Sequence, residues 1–309
     1  MDEPCIKKDI LAALTYYGLF NYPLKKGEIF IFLRQCSDMN EFEEALNTLV
    51  EECIVFKIGN FYSLEDDPTL AERRSRGNER ASLLLKKAEK AAAVISCFPF
   101  VKGVAVSGSL SKYFADEHAD VDFFIITDSN RLWIARTFLH GMKKLSFLLN
   151  KEDLFCMNYF IDESNLAIRE KNIYTAIEIS TVLPMRGTGI FEEFFEKNKW
   201  AKTFFPNKFQ NFSSTNKIRK NWVRVLIQRL LNNRMGDAMD NYLMKLTSRR
   251  WQAKTIQGRI NSKGKPLNMD LGKHYSKPHP ENFQKRLLVR YERSLADNYK
   301  RFELSRFLL

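Results

Sequence analysis

Residues 101–127 read VKGVAVSGSLSKYFADEHADVDFFIIT, from Val101 to Thr127, and this stretch decides the fold. Val101 to Val106 is apolar and rich in β-branched residues, the composition of a buried strand. Gly108, flanked by Ser107 and Ser109, ends it; glycine lets the backbone turn sharply and come close to a ligand. A short helix follows, then a second apolar run from Val121 to Ile126, again suited to a buried strand. That strand opens with Asp120-Val121-Asp122. Carboxylates two apart on a strand point to one face, where their charges repel. Asp can also cap the next element, but a divalent cation removes the conflict directly. Mg²⁺ takes oxygen ligands, typically one or two carboxylates plus substrate phosphates. The Gly108-Ser109 turn can offer backbone N–H groups and hydroxyls to those phosphates. The two halves of the stretch therefore suit one ligand, a metal-bound nucleoside triphosphate.

In order and strand context, Gly108-Ser109 followed by Asp120-Val121-Asp122 resembles the signature of the nucleotidyltransferase superfamily, which includes DNA polymerase β, the kanamycin nucleotidyltransferases and the minimal nucleotidyltransferases. The wider chain resembles a group of bacterial proteins that carry a nucleotidyltransferase domain. That resemblance lies in Tyr22-Pro23, Pro99-Phe100-Val101, Ser107 to Ser111, Arg131 to Arg136 and Asn198-Lys199-Trp200, and it names no substrate. The resemblance implies that Ser107, Gly108 and Ser109, with Lys112 beside them, hold the triphosphate. It implies that Asp120 and Asp122 are the catalytic pair and hold Mg²⁺ or Mn²⁺. The implied reaction moves a nucleoside monophosphate from an NTP to an acceptor hydroxyl and releases pyrophosphate. In the family a third strand usually carries a third carboxylate. Here the third apolar strand, Leu154 to Ile161, holds Asn158 at its middle, with Asp153 and Asp162 at its ends. The Asn158 carbonyl can meet a metal but cannot take a proton at neutral pH. Glu178, in an expected helix from Tyr174 to Leu183, is another replacement. A nucleotide-binding module without chemistry is the alternative this departure leaves.

The expected fold class is α+β: a nucleotidyltransferase fold, a small mixed sheet flanked by helices, over residues 99–212. Residues 1–64 read as a winged-helix-like domain, with helices over Ile10–Leu19, Lys25–Leu33 and Asn40–Cys53, then a hairpin turning at Gly59-Asn60. The third helix carries Glu41, Glu43, Glu44, Glu51 and Glu52 and no Lys or Arg. Phosphate attraction supplies most basal DNA affinity, so sequence-specific DNA binding is not expected of it. Residues 65–98 read as a connecting helix preceded by Arg73, Arg74, Arg76 and Arg80, either solvated or approaching the nucleotide. Asn130 to Leu149 reads as an amphipathic helix packed on the sheet.

Residues 213–309 read as a basic helical region. Lys217 to Arg234 is an amphipathic basic helix with Ile218, Trp222, Val225, Leu226 and Leu230 on one side, Met235 to Ile256 a second, residues 257–281 an irregular basic loop, and about Glu281 to Phe302 a last helix. Net charge is +12 over 309 residues, and residues 201–309 alone hold 24 Lys and Arg against 7 Asp and Glu. This asymmetry points to an anionic partner, either an anionic acceptor or, in an adaptor reading, nucleic acid or an anionic surface. The five Cys are scattered with no C-x-x-C, which suits reduced thiols in a cytoplasmic protein. No apolar run approaches the roughly 18–20 residues a membrane-spanning helix needs, and no signal peptide is visible.

Overall fold

A computed structural model describes residues 6–147, 156–208, 218, 221–260, 269–278 and 283–308. The chain is α+β, with a mixed six-stranded sheet flanked by helices. It opens with α1 (Ile6–Gly18), α2 (Lys26–Ile31) and α3 (Met39–Glu51), then a hairpin of β1 (Phe56–Ile58) and β2 (Phe61–Ser63). The hairpin turns at Gly59, whose φ is +60°. The α3 N-cap is Asp38, so the helix starts before the expected Asn40: its carboxylate accepts from the Asn40 N–H at 2.8 Å. The 29-residue α4 (Pro68–Ser96) begins behind an Asp67 cap with proline in its first turn. The Arg cluster expected before a helix is therefore part of one.

The sheet is built around β3 (Val101–Val106) and β4 (Asp122–Thr127), which pair antiparallel. After α5 (Leu132–Phe147), β5 (Cys156–Asp162) adds parallel to β4. After α6 (Ile173–Thr181), β6 (Leu183–Arg186) pairs antiparallel with β3 as an edge strand. The helix expected to reach Leu183 ends earlier because β6 starts there. Then come α7 (Thr188–Lys197), α8 (Trp222–Leu231) and α9 (Arg234–Ile256). Two short strands, β7 (Met269–Leu271) and β8 (Tyr275–Pro278), extend the sheet beyond β5, giving the order β6-β3-β4-β5-β8-β7. Part of the stretch expected to be irregular is thus sheet. The chain closes with α10 (Phe283–Leu308).

Alternation along the strands makes two apolar faces. Val104, Val106, Phe123 and Ile125 pack on one side with Ala88, Ala92 and Ile95 of α4 and Leu132, Trp133 and Leu139 of α5. Ala105, Phe124, Ile126 and Ile161 face the other way, onto Ile177 of α6 and Phe191 and Phe194 of α7. That second core continues without a break into α1–α3 through residues such as Leu14, Leu24, Phe42 and Phe114. Helix α10 returns to α1: the Tyr291 hydroxyl donates to the Ala12 carbonyl at 3.3 Å and Asn298 to the Thr15 hydroxyl at 2.9 Å. Helix α9 instead lies along α5. Among the described residues no helix is long and apolar enough to cross a membrane, and the four described cysteines are free.

Candidate functional site

Strand β3 leads straight into the glycine turn. The Ser107 N–H donates to the Asp122 carbonyl at 2.9 Å, and the Ser107 hydroxyl reaches the same oxygen at 3.3 Å. The β3–β4 ladder therefore carries on to the turn and holds it beside the first residue of β4. Gly108 has φ +70°, and a Cβ placed on it would lie 2.8 Å from Asp122 Oδ2. Backbone thus lies against that carboxylate, in a conformation L side chains rarely adopt. Ser109 is exposed, and its hydroxyl makes no cap bond to the short 3₁₀ turn Leu110–Lys112 that follows. The Ser111 hydroxyl closes the turn by donating to the Gly108 carbonyl at 2.8 Å.

Asp122 is half-buried, and its Oδ1 accepts from Asn158 Nδ2 at 2.7 Å. A bulge aims that amide. Register pairs Asp122 with Cys156 and Phe123 with Met157, then Phe124 with Tyr159, leaving Asn158 as the extra residue of β5. Asp120 is half-buried and precedes the strand rather than belonging to it. Both aspartates bear on the Cys156 thiol, whose pKa is pushed up to about 11 by burial and by the charges of Asp122 and Asp120. The Cys156 thiol therefore stays protonated at neutral pH.

Lys112 sits at the site but is already engaged. Its ammonium donates to the Gly108 carbonyl at 3.0 Å and to Glu178 Oε1 of α6 at 2.8 Å. Glu178 is thus Lys112's ion-pair partner. Burial, then the charges of Glu178 and Asp122, push the Tyr174 hydroxyl far above its ordinary pKa, so this phenol lies within the field of both acids. Lys208 carries its ammonium 5.1 Å over the Phe32 ring, and burial with the nearby Lys112 charge lowers its pKa to about 8.

The loop after Gly108 is clamped from two sides. The Tyr22 hydroxyl donates to the Lys112 carbonyl at 2.5 Å, and the Phe114 ring packs edge-on to Tyr22. On α4, Gly77 lets the helix come against Phe114, whose ring would be 2.2 Å from an added Cβ, and the Gly77 carbonyl takes the Ala115 N–H. The α4 arginines also grip this loop or its support. Arg73 pairs with Asp116 and Arg80 with Glu117. Arg74 is buried over the Tyr22 ring at 3.6 Å and pairs with Glu28 at 2.7 Å. From the sequence these arginines were expected to be either solvated or close to the nucleotide, with no partners named, and Gly77, Tyr174 and the Tyr22 hydroxyl were not expected at the site. Tyr22-Pro23 was the one available signal.

Among the described residues, no group of three or more His, Cys, Asp and Glu side chains is arranged to hold a metal ion. Two aspartates and an amide oxygen, completed by phosphate oxygens, are nonetheless a donor set Mg²⁺ accepts. The cradle at Gly108, which a Cβ would fill, keeps Asp122 Oδ2 facing the turn. The residues present fit a cation held jointly with a phosphorylated ligand. No family model, no curated protein and no solved structure matches the chain.

Proposed function

We propose that the chain is a metal-dependent nucleotidyltransferase, moving a nucleoside monophosphate from an NTP to an acceptor hydroxyl and releasing pyrophosphate. The observation that carries this reading is the close approach of the Gly108 turn to Asp122, with Asp120 two residues before it in the chain. Asp120 and Asp122 would hold Mg²⁺ or Mn²⁺, with the Asn158 carbonyl oxygen as a third donor if the amide turns. A bound cation would polarise the α-phosphate and favour ionisation of the acceptor hydroxyl. The turn Ser107–Ser109 presents backbone N–H groups and the exposed Ser109 hydroxyl to the β- and γ-phosphates. Lys112 braces the Gly108 carbonyl, and its charge is shared with Glu178. Asn158 donates to Asp122 Oδ1 and takes no proton, so Asp120, Asp122 and the Lys112-paired Glu178 are the carboxylates that could accept one.

In this reading the sheet around β3, β4 and β5 is the nucleotidyltransferase fold, and α1–α3 with the β1–β2 hairpin are winged-helix-like. That unit braces the motif loop through Tyr22 rather than reading DNA. A cytoplasmic setting suits the free thiols, and the basic C-terminal third suits an anionic acceptor. The test is incorporation of labelled NMP into candidate acceptors with Mg²⁺ or Mn²⁺. Incorporation lost in Asp120→Ala and Asp122→Ala is expected; incorporation unchanged in either variant overturns the assignment. Asn158 in place of a carboxylate favours one second reading, an NTP-binding module without chemistry. Calorimetry showing metal-dependent NTP binding with no pyrophosphate release would select it.

A further inference from the structure

A surface helix ordinarily turns its apolar stripe toward the core. Helix α8 does this only in part: Ile227 and Leu231 pack inward against Phe100, Ile134 and Ala135. Beside them on the inward side is Arg224, buried, donating to the Ser96 carbonyl at 2.6 Å and the Val101 carbonyl at 2.7 Å. Gln228, one turn on, donates to Asp128 at 3.0 Å. Polar bonds therefore fasten the helix to the end of α4 and the start of β3. Its outward face holds Trp222, Leu226 and Leu230, with Trp222 76% exposed and Leu230 57% exposed. On the adjoining helix α9, Met235 and Tyr242 are exposed as well, the latter 64%. Two turns further along the same side of α9 stand Arg249 and Arg250, both exposed.

The charge on this surface is of one sign. Residues 222–260 hold eight Lys and Arg against Asp237 and Asp240. Both acids are engaged: Asp237, though exposed, pairs with Arg131 at 2.5 Å, and Asp240, buried, accepts from the Ile134 N–H at 2.9 Å. The outer face therefore offers aliphatic and aromatic side chains bordered by Arg229, Arg234, Arg249 and Arg250.

We propose that the outer face of α8 and α9 is a docking surface for an anionic lipid bilayer. Trp222, Leu226 and Leu230 enter the boundary between headgroups and acyl chains, and the arginines meet lipid phosphates. Charge complementarity and the aliphatic side chains select this occupant. Nucleic acid would take the arginines but stacks on aromatic rings, leaving Leu226 and Leu230 unused. A second copy joined about a two-fold axis would set this basic face against itself. The chain docks on the surface and does not span: among the described residues no helix is fit to cross a membrane.

The test is co-sedimentation of the full chain with vesicles of phosphatidylglycerol and phosphatidylcholine, and with vesicles of phosphatidylcholine alone, at low and high salt. Binding to the anionic vesicles, weakened by salt, is expected. Trp222→Ser with Leu226→Ser should lower that binding by about tenfold, since affinity follows buried apolar area. Arg249→Gln with Arg250→Gln should lower it by about tenfold or more on the anionic vesicles. These positions are exposed, and circular dichroism checks that the variants fold. The wild-type comparison between the two vesicle types stands without them. Absence of binding to the anionic vesicles, salt-dependent binding of RNA in its place, or a solution dimer broken by Trp222→Ser would each overturn the proposal.

Discussion

At Gly108 the backbone φ of +70° and the 2.8 Å between a built Cβ and Asp122 Oδ2 leave no room for a side chain. Gly108→Ala is expected to cost about 1–2 kcal/mol of stability from the left-handed backbone alone, read by urea denaturation. It should also displace Asp122 and weaken NTP binding by about tenfold or more, as a lost charge-assisted contact does. A second residue-scale prediction concerns His140 on α5. Burial, then the Arg136 charge, lowers its pKa to about 3, and its Nε2 is buried with no partner. The folded protein keeps this ring neutral, whereas the unfolded chain takes up the proton near pH 6.5. His140 therefore favours unfolding progressively as pH falls from 6.5 toward 3, and contributes no pH dependence above that window. His140→Gln should flatten the stability profile between pH 4 and 6.5 in denaturant titrations; an unchanged slope would contradict the assignment. At this scale the Gly108 turn, Asp122 and Asn158 were legible in the sequence, because apolar strands and a turn residue fix neighbours; Asp120 lies before β4, so strand alternation does not place it. The Lys112–Glu178 pair was not, because it joins residues whose proximity depends on how α6 crosses the sheet.

Two elements hold the motif loop, and each can be loosened without touching an aspartate. Gly77→Ala on α4 would drive a methyl into the Phe114 ring. It is expected to cost about 1–3 kcal/mol as an overpacked contact, read as a lowered urea midpoint. Tyr22→Phe removes the 2.5 Å bond to the Lys112 carbonyl. The expected loss is about 1 kcal/mol, with a larger proportional loss of NTP affinity than of stability. Equal stability in both variants would mean the clamp does not set the loop. Elements differed in how far their sequence revealed them. Strands β3, β4 and β5 were readable because they are buried apolar runs of six or seven residues. Strands β6, β7 and β8 span three or four residues, too few for a period-two signal, and β6 carries Pro184, which an edge strand tolerates. Helix α8 was readable as amphipathic, but periodicity gives a stripe and not its direction. In the structure Arg224, Ile227 and Leu231 face inward, and Trp222, Leu226 and Leu230 are left exposed.

Over the whole molecule, the N-terminal helices and one face of the sheet share a single apolar core. A change in α1–α3 is therefore expected to reach the Gly108 turn. The basic C-terminal third divides, with α9 along α5 and α10 against α1, so its excess charge covers two surfaces rather than one. In the proposed function, a cation and a triphosphate share Asp120, Asp122 and the Gly108 turn. Calorimetric titration of the wild type and Asp122→Ala with a non-hydrolysable NTP, in Mg²⁺ and in chelator, tests this most directly. Binding by the wild type in Mg²⁺, lost in chelator and weakened about tenfold or more in Asp122→Ala, is the expected result. Equal affinity in chelator, equal affinity in Asp122→Ala, or no binding to the wild type would contradict it.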